Sequence, residues 1–225
     1  MSLRTYANLT QGTEAWFDAR RGIVTASVVG QLVTPKTIKP AANDHSRALT
    51  ALLVAERITG WSEPVYVSHD MLVGSLDEPV ARLVYAEHYA PVTEVGFMVR
   101  DDWGCRIGYS PDGLVGDDGL IEIKSRRPKA HLTTIIDGEV PAENLAQIQC
   151  GLLVSGRQWC DYVSFCGGMP LWVKRVEPDP RWHDAIIAAV ETFEQIAAEM
   201  VATYQAAIAG LVATDRGTYD MEVMV

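Results

Sequence analysis

The sequence lacks the features that would place it in several other classes of protein. It contains no low-complexity tract, and no apolar run reaches the roughly 18 residues expected of a membrane span. Its first residues, Met-Ser-Leu-Arg-Thr-Tyr-Ala-Asn, also lack the basic and then apolar stretches of a secretory signal. These absences argue against disorder and against membrane attachment, and they predict an intracellular protein.

Cysteine is scarce, and its spacing excludes the common sulfur-bound metal centres. The four cysteines include no Cys-x-x-Cys pair, and the five histidines supply no His-x-x-x-His partner. Without an export signal, we expect buried and reduced thiols rather than disulfides. These thiols are Cys105, Cys150, Cys160 and Cys166.

Basic residues are also few, which argues against a general binder of polyanions. Lys and Arg number 19 against 29 Asp and Glu, so the formal net charge is −10. The acids are concentrated from Asp184 onward, whereas four basic residues crowd into the six positions between Lys124 and Lys129. The charge pattern therefore predicts a localised basic surface rather than a uniformly acidic one.

The remaining composition is that of a globular protein. A chain of 225 residues with 48% hydrophobic side chains can form one sizeable core, so we expect a single domain over residues 1–225. The order of periodic segments predicts an α/β fold with a mixed central sheet. The main expectations are a helix at 13–21 capped by Thr13, a helix start at Thr25-Ala26-Ser27, a helix opening at Asp77-Glu78-Pro79, a strand at Val92–Arg100, and a helix at 141–154.

The candidate chemistry lies in the segment that ends at Lys124. Side chains alternate along Ile121–Lys124, so Glu122 and Lys124 share one face of the strand and the two isoleucines share the other. A hairpin turn at Asp118-Gly119 would fold Asp112 back beside Glu122. We therefore expect two carboxylates and one ammonium group to converge.

Such a cluster suits phosphodiester hydrolysis. Paired carboxylates are hard oxygen ligands for Mg²⁺, and two ions roughly 4 Å apart can stabilise the attacking and leaving oxygens of a phosphoryl displacement. A nearby lysine can hold the attacking water and offset developing negative charge. The alternative interpretation is a surface hairpin with a solvated Glu–Lys pair, which Glu-x-Lys alone does not exclude.

These residues resemble a known signature. Pro111-Asp112 followed by Glu122-Ile123-Lys124 is similar to the PD-(D/E)XK nuclease motif. Over about residues 11–155, the chain further resembles the phage lambda-type exonuclease, or viral recombinase, branch of that superfamily. The segments that carry this resemblance are Trp16-x-x-x-Arg20-x-Gly22-x-x-Thr25-Ala26-Ser27, Gly74-x-x-x-Glu78, Ser110-Pro111-Asp112-Gly113-Leu114 and Ala146-Gln147-Ile148-Gln149. The resemblance implies a restriction-endonuclease-like core with a mixed central β-sheet flanked by helices.

The resemblance implies roles for the residues of the candidate metal site. Asp112, Glu122 and the Ile123 carbonyl would bind metal, and Lys124 would orient the nucleophilic water. Glu78 would help to hold a metal or its water; an acid that stabilises a helix N-terminus is the alternative interpretation.

A glutamine and a phosphate pocket complete the implied site. Gln149 would support the catalytic water or lysine, unless it is simply a polar residue beside an apolar stripe. Arg20 and Ser27, with Thr25, would receive a 5′-terminal phosphate, although Arg20 could instead be a C-terminal helix cation and the hydroxyl residues N-caps. The sequence leaves open whether Arg20 or Arg21 contacts that phosphate.

Basic residues after the catalytic strand complete the implied DNA contacts. Arg126 and Arg127 would neutralise the DNA backbone near the scissile phosphate, and a solvated charged loop is the alternative interpretation.

The function implied by the resemblance is that of a recombination nuclease. The enzyme would use Mg²⁺, as two ions that Mn²⁺ can replace, to degrade one strand of linear duplex DNA from a 5′-phosphorylated end. The remaining 3′ single strand would serve a single-strand annealing protein. Members of the branch often form ring trimers, and a phage enzyme would act in the bacterial cytoplasm. The alternatives are an endonuclease or repair nuclease of the same superfamily and a noncatalytic DNA-end-binding recombination protein.

Overall fold

The computed structural model describes residues 2–64 and 67–216. The helices of these residues are α1 (Glu14–Arg20), α2 (Asp44–Thr59), α3 (His69–His88), α4 (Pro128–Asp137), α5 (Ala142–Ser155) and α6 (Pro180–Ala207). The strands are β1 (Leu3–Tyr6), β2 (Val24–Thr25), β3 (Val33–Thr34), β4 (Lys39–Pro40), β5 (Val92–Thr93), β6 (Phe97–Arg100), β7 (Ile107–Tyr109), β8 (Gly113–Val115), β9 (Gly119–Ser125), β10 (Trp159–Phe165) and β11 (Trp172–Val176).

The strands form two mixed sheets and one short hairpin. The larger sheet has the order β11-β10-β9-β8-β5, with β9 and β10 parallel and the other pairs antiparallel. The smaller sheet has the order β1-β6-β7-β2, with β7 and β2 parallel. Strands β3 and β4 pair with each other. The predicted α/β class with a mixed sheet flanked by helices is confirmed.

Strand β9 is buried on both faces, and the two faces differ. Ile121 and Ile123 pack into an apolar cluster with Ala81 and Tyr85 of α3. Leu120 belongs to the main core, which α2, α5 and α6 supply from the other face. The predicted alternation is therefore confirmed: the isoleucines share one face, and Leu120, Glu122 and Lys124 share the other.

Helix α3 begins earlier than the sequence predicts. Its N-cap is Ser68, whose hydroxyl accepts a hydrogen bond from Met71 N, and Pro79 lies inside the helix rather than at its first turn. The expectation of a start at Asp77 relied on the preference of proline for the first helical position. The Ser68 cap and the packing of Ala81 and Tyr85 on the sheet outweigh the helix-breaking tendency of Pro79.

Two further local predictions need correction. Residues 25–27 do not start an α-helix, because Ala26 N donates to Gly108 O (2.8 Å) and Thr25 pairs with Gly108 in β2; one 3₁₀ turn, Val29–Gln31, follows. The predicted strand Val92–Arg100 is two strands in different sheets, with β5 beside β8 and β6 beside β1 and β7.

Other local predictions are confirmed. Thr13 caps α1 by accepting a hydrogen bond from Trp16 N at 3.4 Å, and α5 covers most of the helix expected at 141–154. All four cysteines are buried free thiols. Among the described residues, no helix combines the length and the apolar character needed to cross a bilayer.

Candidate active site

The candidate site lies where the chain passes from the smaller sheet to the larger one. Strand β7 ends at Tyr109, and β8 begins at Gly113. The connecting residues Ser110, Pro111 and Asp112 therefore place a hydroxyl group at the edge of one sheet and a carboxylate at the edge of the other. A cleft of about 440 Å³ opens at this junction.

The β8–β9 hairpin brings Asp112 to β9, as the sequence predicts. Gly113 pairs with Ile121, so the register continues to Asp112 opposite Glu122. Asp112 Oδ2 accepts a hydrogen bond of 2.6 Å from Ile123 N. Because the N–H and C=O of one strand residue point toward the same neighbour, the Ile123 carbonyl also faces this edge.

Glu122 is buried, and only one of its two carboxylate oxygens accepts a hydrogen bond from the described residues. Its side chain has 0% exposure, and its Oε1 accepts a hydrogen bond of 2.6 Å from Lys124 Nζ. Its Oε2 is buried and has no hydrogen-bond partner among the described residues. An acceptor oxygen left without a donor at 0% exposure is costly, and a cation bound there would satisfy it.

The ionisable groups around Glu122 perturb one another. Burial, followed by the charge of Glu122, raises the pKa of Asp112 well above its ordinary value. Burial lowers the pKa of Lys124, but the carboxylates of Glu122 and Asp112 outweigh this effect and raise it above its usual value. The carboxylates therefore compete for protons, while Lys124 remains a cation.

These residues fit a hard divalent cation. In the described part of the chain, no group of three or more His, Cys, Asp or Glu side chains forms a ready-made metal cage. Mg²⁺ does not require one, because it commonly binds through one or two carboxylates and completes its shell with water and substrate phosphates. Asp112, the unpartnered oxygen of Glu122 and the Ile123 carbonyl supply that kind of oxygen donor set.

Helix α3 brings a third carboxylate to the cleft. Glu78 lines the cleft together with Asp112 and Lys124. Burial raises the pKa of Glu78, and the guanidinium of Arg82, one turn later, opposes the shift. The alternative interpretation of Glu78, an acid at a helix N-terminus, does not hold, because Glu78 lies in the middle of α3.

The other side of the cleft is built around Arg20, the last residue of α1. Its Nη1 donates to Ser110 Oγ (3.0 Å), and its Nη2 donates to Ser27 Oγ (3.1 Å) and Thr25 Oγ1 (3.4 Å). The guanidinium lies 4.0 Å from the centroid of the Trp16 ring, whose Nε1 also donates to Ser110 Oγ. The predicted group of Arg20, Thr25 and Ser27 is therefore brought together.

Arg20 has no carboxylate partner in the part of the chain that the structure describes. Within residues 2–64 and 67–216, its guanidinium forms no ion pair and contacts only hydroxyl groups and rings. Burial lowers the pKa of Arg20 to about 10, and Glu56 partly opposes this. A partly buried cation whose neighbours are neutral hydroxyls keeps its positive charge unneutralised, so it is suited to bind an anion. Neighbouring Arg21 differs, since it pairs with Asp18 on its own helix.

Ser110 is a site residue to which the sequence alone assigns no role, although the residue is part of a motif. Its Oγ accepts from both Arg20 Nη1 and Trp16 Nε1, which occupies both hydroxyl lone pairs. The hydroxyl proton is therefore left to donate, and Ser110 lines the cleft. The one signal for Ser110 in the sequence is its position two residues before Asp112.

The glutamine of the cleft is Gln147, not Gln149. Gln149 is 2% exposed, its Nε2 donates to Glu177 O (2.8 Å), and its Oε1 accepts from Asp179 N (2.8 Å). Both ends of this amide are thus used to fix the segment before α6. Gln147, two residues earlier on α5, lines the cleft.

The basic residues after β9 are engaged within the protein. Arg126 donates to Tyr162 Oη (2.9 Å from Nη2) and to Asn144, so its guanidinium faces inward. Arg127 is 76% exposed and pairs with Asp70 at the start of α3. Neither arginine lines the cleft. Arg127 fits the alternative interpretation of a solvated loop, because it lies exposed in the short connection between β9 and α4.

Comparison with known proteins identifies the family of this chain. The YqaJ-like viral recombinase domain matches residues 15–158, which include Arg20, the acidic residues of the cleft and Gln147. A search of curated proteins gave no significant match.

Solved structures extend the similarity to most of the chain. An alkaline exonuclease, LHK-Exo, from Laribacter hongkongensis is 34% identical and has a TM-score of 0.79, with 89% of this chain and 100% of that chain covered. LHK-Exo in complex with dAMP gives 35% identity and a TM-score of 0.78 over the same shares. A phage-related exonuclease from Haemophilus somnus shares the fold at 12% identity and a TM-score of 0.57, with 79% and 96% covered. The chain belongs to the YqaJ-like viral recombinase family.

Proposed function

We propose that the protein is a Mg²⁺-dependent exonuclease that degrades one strand of linear duplex DNA from the 5′ end. One observation carries this proposal: Asp112 and Arg20 line one cleft, Asp112 lies opposite the buried Glu122 with its unsatisfied oxygen, and Arg20, among the described residues, has no carboxylate partner. The first feature suits a metal-bound phosphodiester, and the second suits a terminal phosphate.

The names of the similar proteins support a DNA exonuclease. The relative that is 34% identical and covered over its whole length is called an alkaline exonuclease, and the same protein forms a complex with dAMP. A deoxynucleoside monophosphate is the product expected when an exonuclease removes single nucleotides. We extend this activity to the present chain because the cleft residues lie within the matched family region.

Each side chain of the acidic group has a distinct part in the proposed reaction. Asp112 and Glu122 would hold Mg²⁺, as one or two ions, or Mn²⁺ in its place; the bound ion would polarise the phosphate and lower the pKa of its water. Lys124, kept protonated by its two carboxylate neighbours, orients the attacking water and offsets charge on the phosphate. Gln147 and Glu78 line the cleft and can hydrogen-bond water or a phosphate oxygen.

The Arg20 side of the cleft gives a basis for attack at an end. A terminal phosphomonoester carries about 1.5 to 2 negative charges at pH 7, more than the single charge of an internal diester. Arg20 and the Ser110 and Ser27 hydroxyls would bind this group and so place the first diester at the carboxylates. Binding the 5′ phosphate would leave the 3′-ended strand intact.

Processive degradation requires a protein that does not leave the DNA between turnovers. A closed ring around the duplex meets this need, and we propose a C₃ trimer. The 3′ single strand that remains would be the substrate of a single-strand annealing protein.

The decisive experiment compares three forms of one DNA molecule. A linear duplex with 5′ phosphates, the same duplex with 5′ hydroxyls, and a closed circle are incubated with protein and Mg²⁺ or Mn²⁺, with EDTA as the control. We expect mononucleotides and 3′ single strands from the first substrate, slower release from the second and none from the circle. Equal cleavage of the circle would contradict the exonuclease proposal and favour an endonuclease.

A single variant distinguishes this enzyme from a noncatalytic end-binding protein. Lys124→Ala removes the cation beside Glu122 without altering the Arg20 pocket. We expect duplex degradation to fall by about 10² to 10³-fold, comparable to the loss of one charge-stabilising donor, while DNA-end binding persists. Unchanged degradation would instead show that any nuclease activity arises outside this cleft.

A further inference from the structure

Arg82 joins two of the structural elements that carry the acidic residues, α3 and the segment before β8. Its Nε donates to the main-chain O of Asp112 at 2.8 Å, and its Nη2 donates to the carboxylate of Glu78. Its Nη1 pairs with Glu94 Oε2 at 2.8 Å. The Arg82 side chain is only 13% exposed, so all three nitrogens of a nearly buried guanidinium are used at this one junction.

The contact with Asp112 is the informative one. An arginine that merely balanced Glu78 on the same helix would need only the i,i+4 pair. Arg82 instead reaches from α3 to the residue immediately before β8, whose own carboxylate is fixed by Ile123 N. The planar fork of the guanidinium therefore sets both the rotamer of Glu78 and the main-chain position of Asp112.

We propose that Arg82 is a positioning residue for metal binding, because it holds Glu78 and Asp112 at a fixed separation across the cleft. This inference rests on the proposed function. Arg82 does not line the cleft, so it acts through the two acids rather than on the DNA. Without it, Glu78 could turn away, and the start of β8 would lose its tie to α3.

The structure offers a matched control at a second attachment of α3. Tyr85, one turn after Arg82, donates from its hydroxyl to Asp161 Oδ2 (2.7 Å), and Arg175 binds the same carboxylate with two hydrogen bonds of 2.8 and 2.9 Å. Arg175→Gln therefore weakens the packing of α3 on the sheet without touching an acid of the cleft. It reproduces the loss of an arginine–carboxylate pair, here one between β10 and β11 whose carboxylate binds α3 through Tyr85.

The experiment measures Mn²⁺ affinity, melting temperature and steady-state kinetics for Arg82→Gln, Arg82→Lys and Arg175→Gln. Loss of a group that orients metal ligands typically costs about 10 to 100-fold in metal affinity or activity. We expect Arg82→Gln to weaken Mn²⁺ binding in calorimetry without DNA by about that factor and to lower kcat with little change in KM for DNA. Arg82→Lys should recover part of the affinity, because it restores the charge but not the fork. Arg175→Gln should lower the melting temperature only.

The outcomes separate this inference from the proposed function. Wild-type Mn²⁺ affinity and kcat in Arg82→Gln, or equal losses in Arg82→Gln and Arg175→Gln, would overturn the role of Arg82 while leaving a metal-dependent nuclease in place. Failure of the unaltered protein to bind Mn²⁺ or to degrade linear duplex would overturn both.

Discussion

On one side of the cleft, three acids, Asp112, Glu122 and Glu78, have two cationic neighbours, Lys124 beside Glu122 and Arg82 beside Glu78. On the other side, Arg20 contacts only neutral hydroxyls and aromatic rings of the described chain. The acidic side has a buried oxygen without a donor and carboxyl groups with raised pKa values. The basic side has a cation without a counterion within residues 2–64 and 67–216. The acidic side therefore carries negative charge that a metal ion would neutralise. The basic side carries positive charge that a DNA phosphate would neutralise.

Under the proposed function, this difference predicts that hydrolysis and end recognition can be altered separately. The acidic side would depend on a bound cation, so its loss should stop turnover on every substrate. The basic side would depend on a terminal anion, so its loss should matter only where that anion is present. Substitutions confined to one side test whether the two requirements are independent.

The largest effect is expected from Glu122→Gln. The substitution keeps the shape of the side chain but removes the charge and one acceptor oxygen of the buried carboxylate. We expect degradation of phosphorylated and unphosphorylated linear duplex to fall by more than about 10³-fold, exceeding the roughly 10 to 100-fold typical of residues that only support a metal ligand. Product release is followed by gel electrophoresis.

The control for Glu122→Gln is Glu139→Gln, which removes the same charge from an exposed acid paired with Lys174. It should leave degradation unchanged, and both variants should keep the wild-type circular dichroism spectrum. Residual activity above about a tenth of the wild-type rate in Glu122→Gln would mean that the acidic side is not the metal site.

Arg20→Ala should have the next largest effect, and only on phosphorylated ends. A hydrogen bond to a charged group is worth about 1.5 to 3 kcal/mol, so we expect kcat/KM for 5′-phosphorylated duplex to fall by roughly 10 to 100-fold. The value for 5′-hydroxyl duplex should change by less than about threefold, since no terminal charge is lost there.

Arg21→Ala is the matched control, because this neighbouring arginine pairs with Asp18. It should retain the preference for phosphorylated ends. A loss of that preference in Arg21→Ala but not in Arg20→Ala would move the phosphate contact to the adjacent residue, the possibility that the sequence alone left open.

The local chemistry of the sequence predicts one part of the site well. The alternation in β9 and the turn before it depend on neighbouring residues, and they correctly place Asp112 beside the Glu122–Lys124 face. The Thr13 cap before α1 is likewise a local signal. The sequence predicts these features because their causes lie within about ten residues of chain.

The expected side-chain positions that the structure does not reproduce depend on distant partners. Arg126 looks like a free cation in sequence, but Asn144 and Tyr162, which bind it, lie 18 and 36 residues away. Gln147 and Gln149 are two residues apart on a helix, about 200° around its axis, so only the packing of α5 decides which one faces the cleft. No local pattern carries that information.

The next prediction concerns the two glutamines. Substitution of one should lower activity without affecting stability, and substitution of the other should lower stability without affecting activity. Gln147→Ala removes a polar group from the cleft, and we expect kcat to fall by about tenfold, as for loss of one supporting hydrogen bond, with an unchanged melting temperature. Gln149→Ala leaves Glu177 O and Asp179 N without their partner, so it should destabilise the fold by about 1 to 3 kcal/mol and leave kcat unchanged. The reverse pattern would restore Gln149 to the site.

The smallest effect is a pH dependence of stability that only the acidic side should show. A carboxyl group whose pKa is higher in the folded than in the unfolded protein binds its proton more tightly when folded. Its contribution to stability is therefore complete below the unfolded pKa of about 4 and is lost as the pH rises toward the folded value. Without divalent cations, Asp112 should thus destabilise the protein increasingly above about pH 4, whereas Asp112→Asn should not.

Melting temperatures of the unaltered protein and Asp112→Asn in EDTA, from about pH 4.5 to 8.5, measure this effect. A tenfold difference in proton affinity is worth about 1.4 kcal/mol, and about 1 kcal/mol shifts the melting temperature by roughly 2–4 °C at this chain length. The asparagine variant should therefore gain several degrees over the unaltered protein as the pH rises, and Mg²⁺ should remove that gain. Arg20→Ala provides the contrast: the pKa of Arg20 is about 10, so its effect should stay constant across the range. If the melting-temperature difference between Asp112→Asn and the unaltered protein were also independent of pH, burial of Asp112 would not destabilise the folded protein. The contrast between the acidic and the basic side of the cleft would then be wrong.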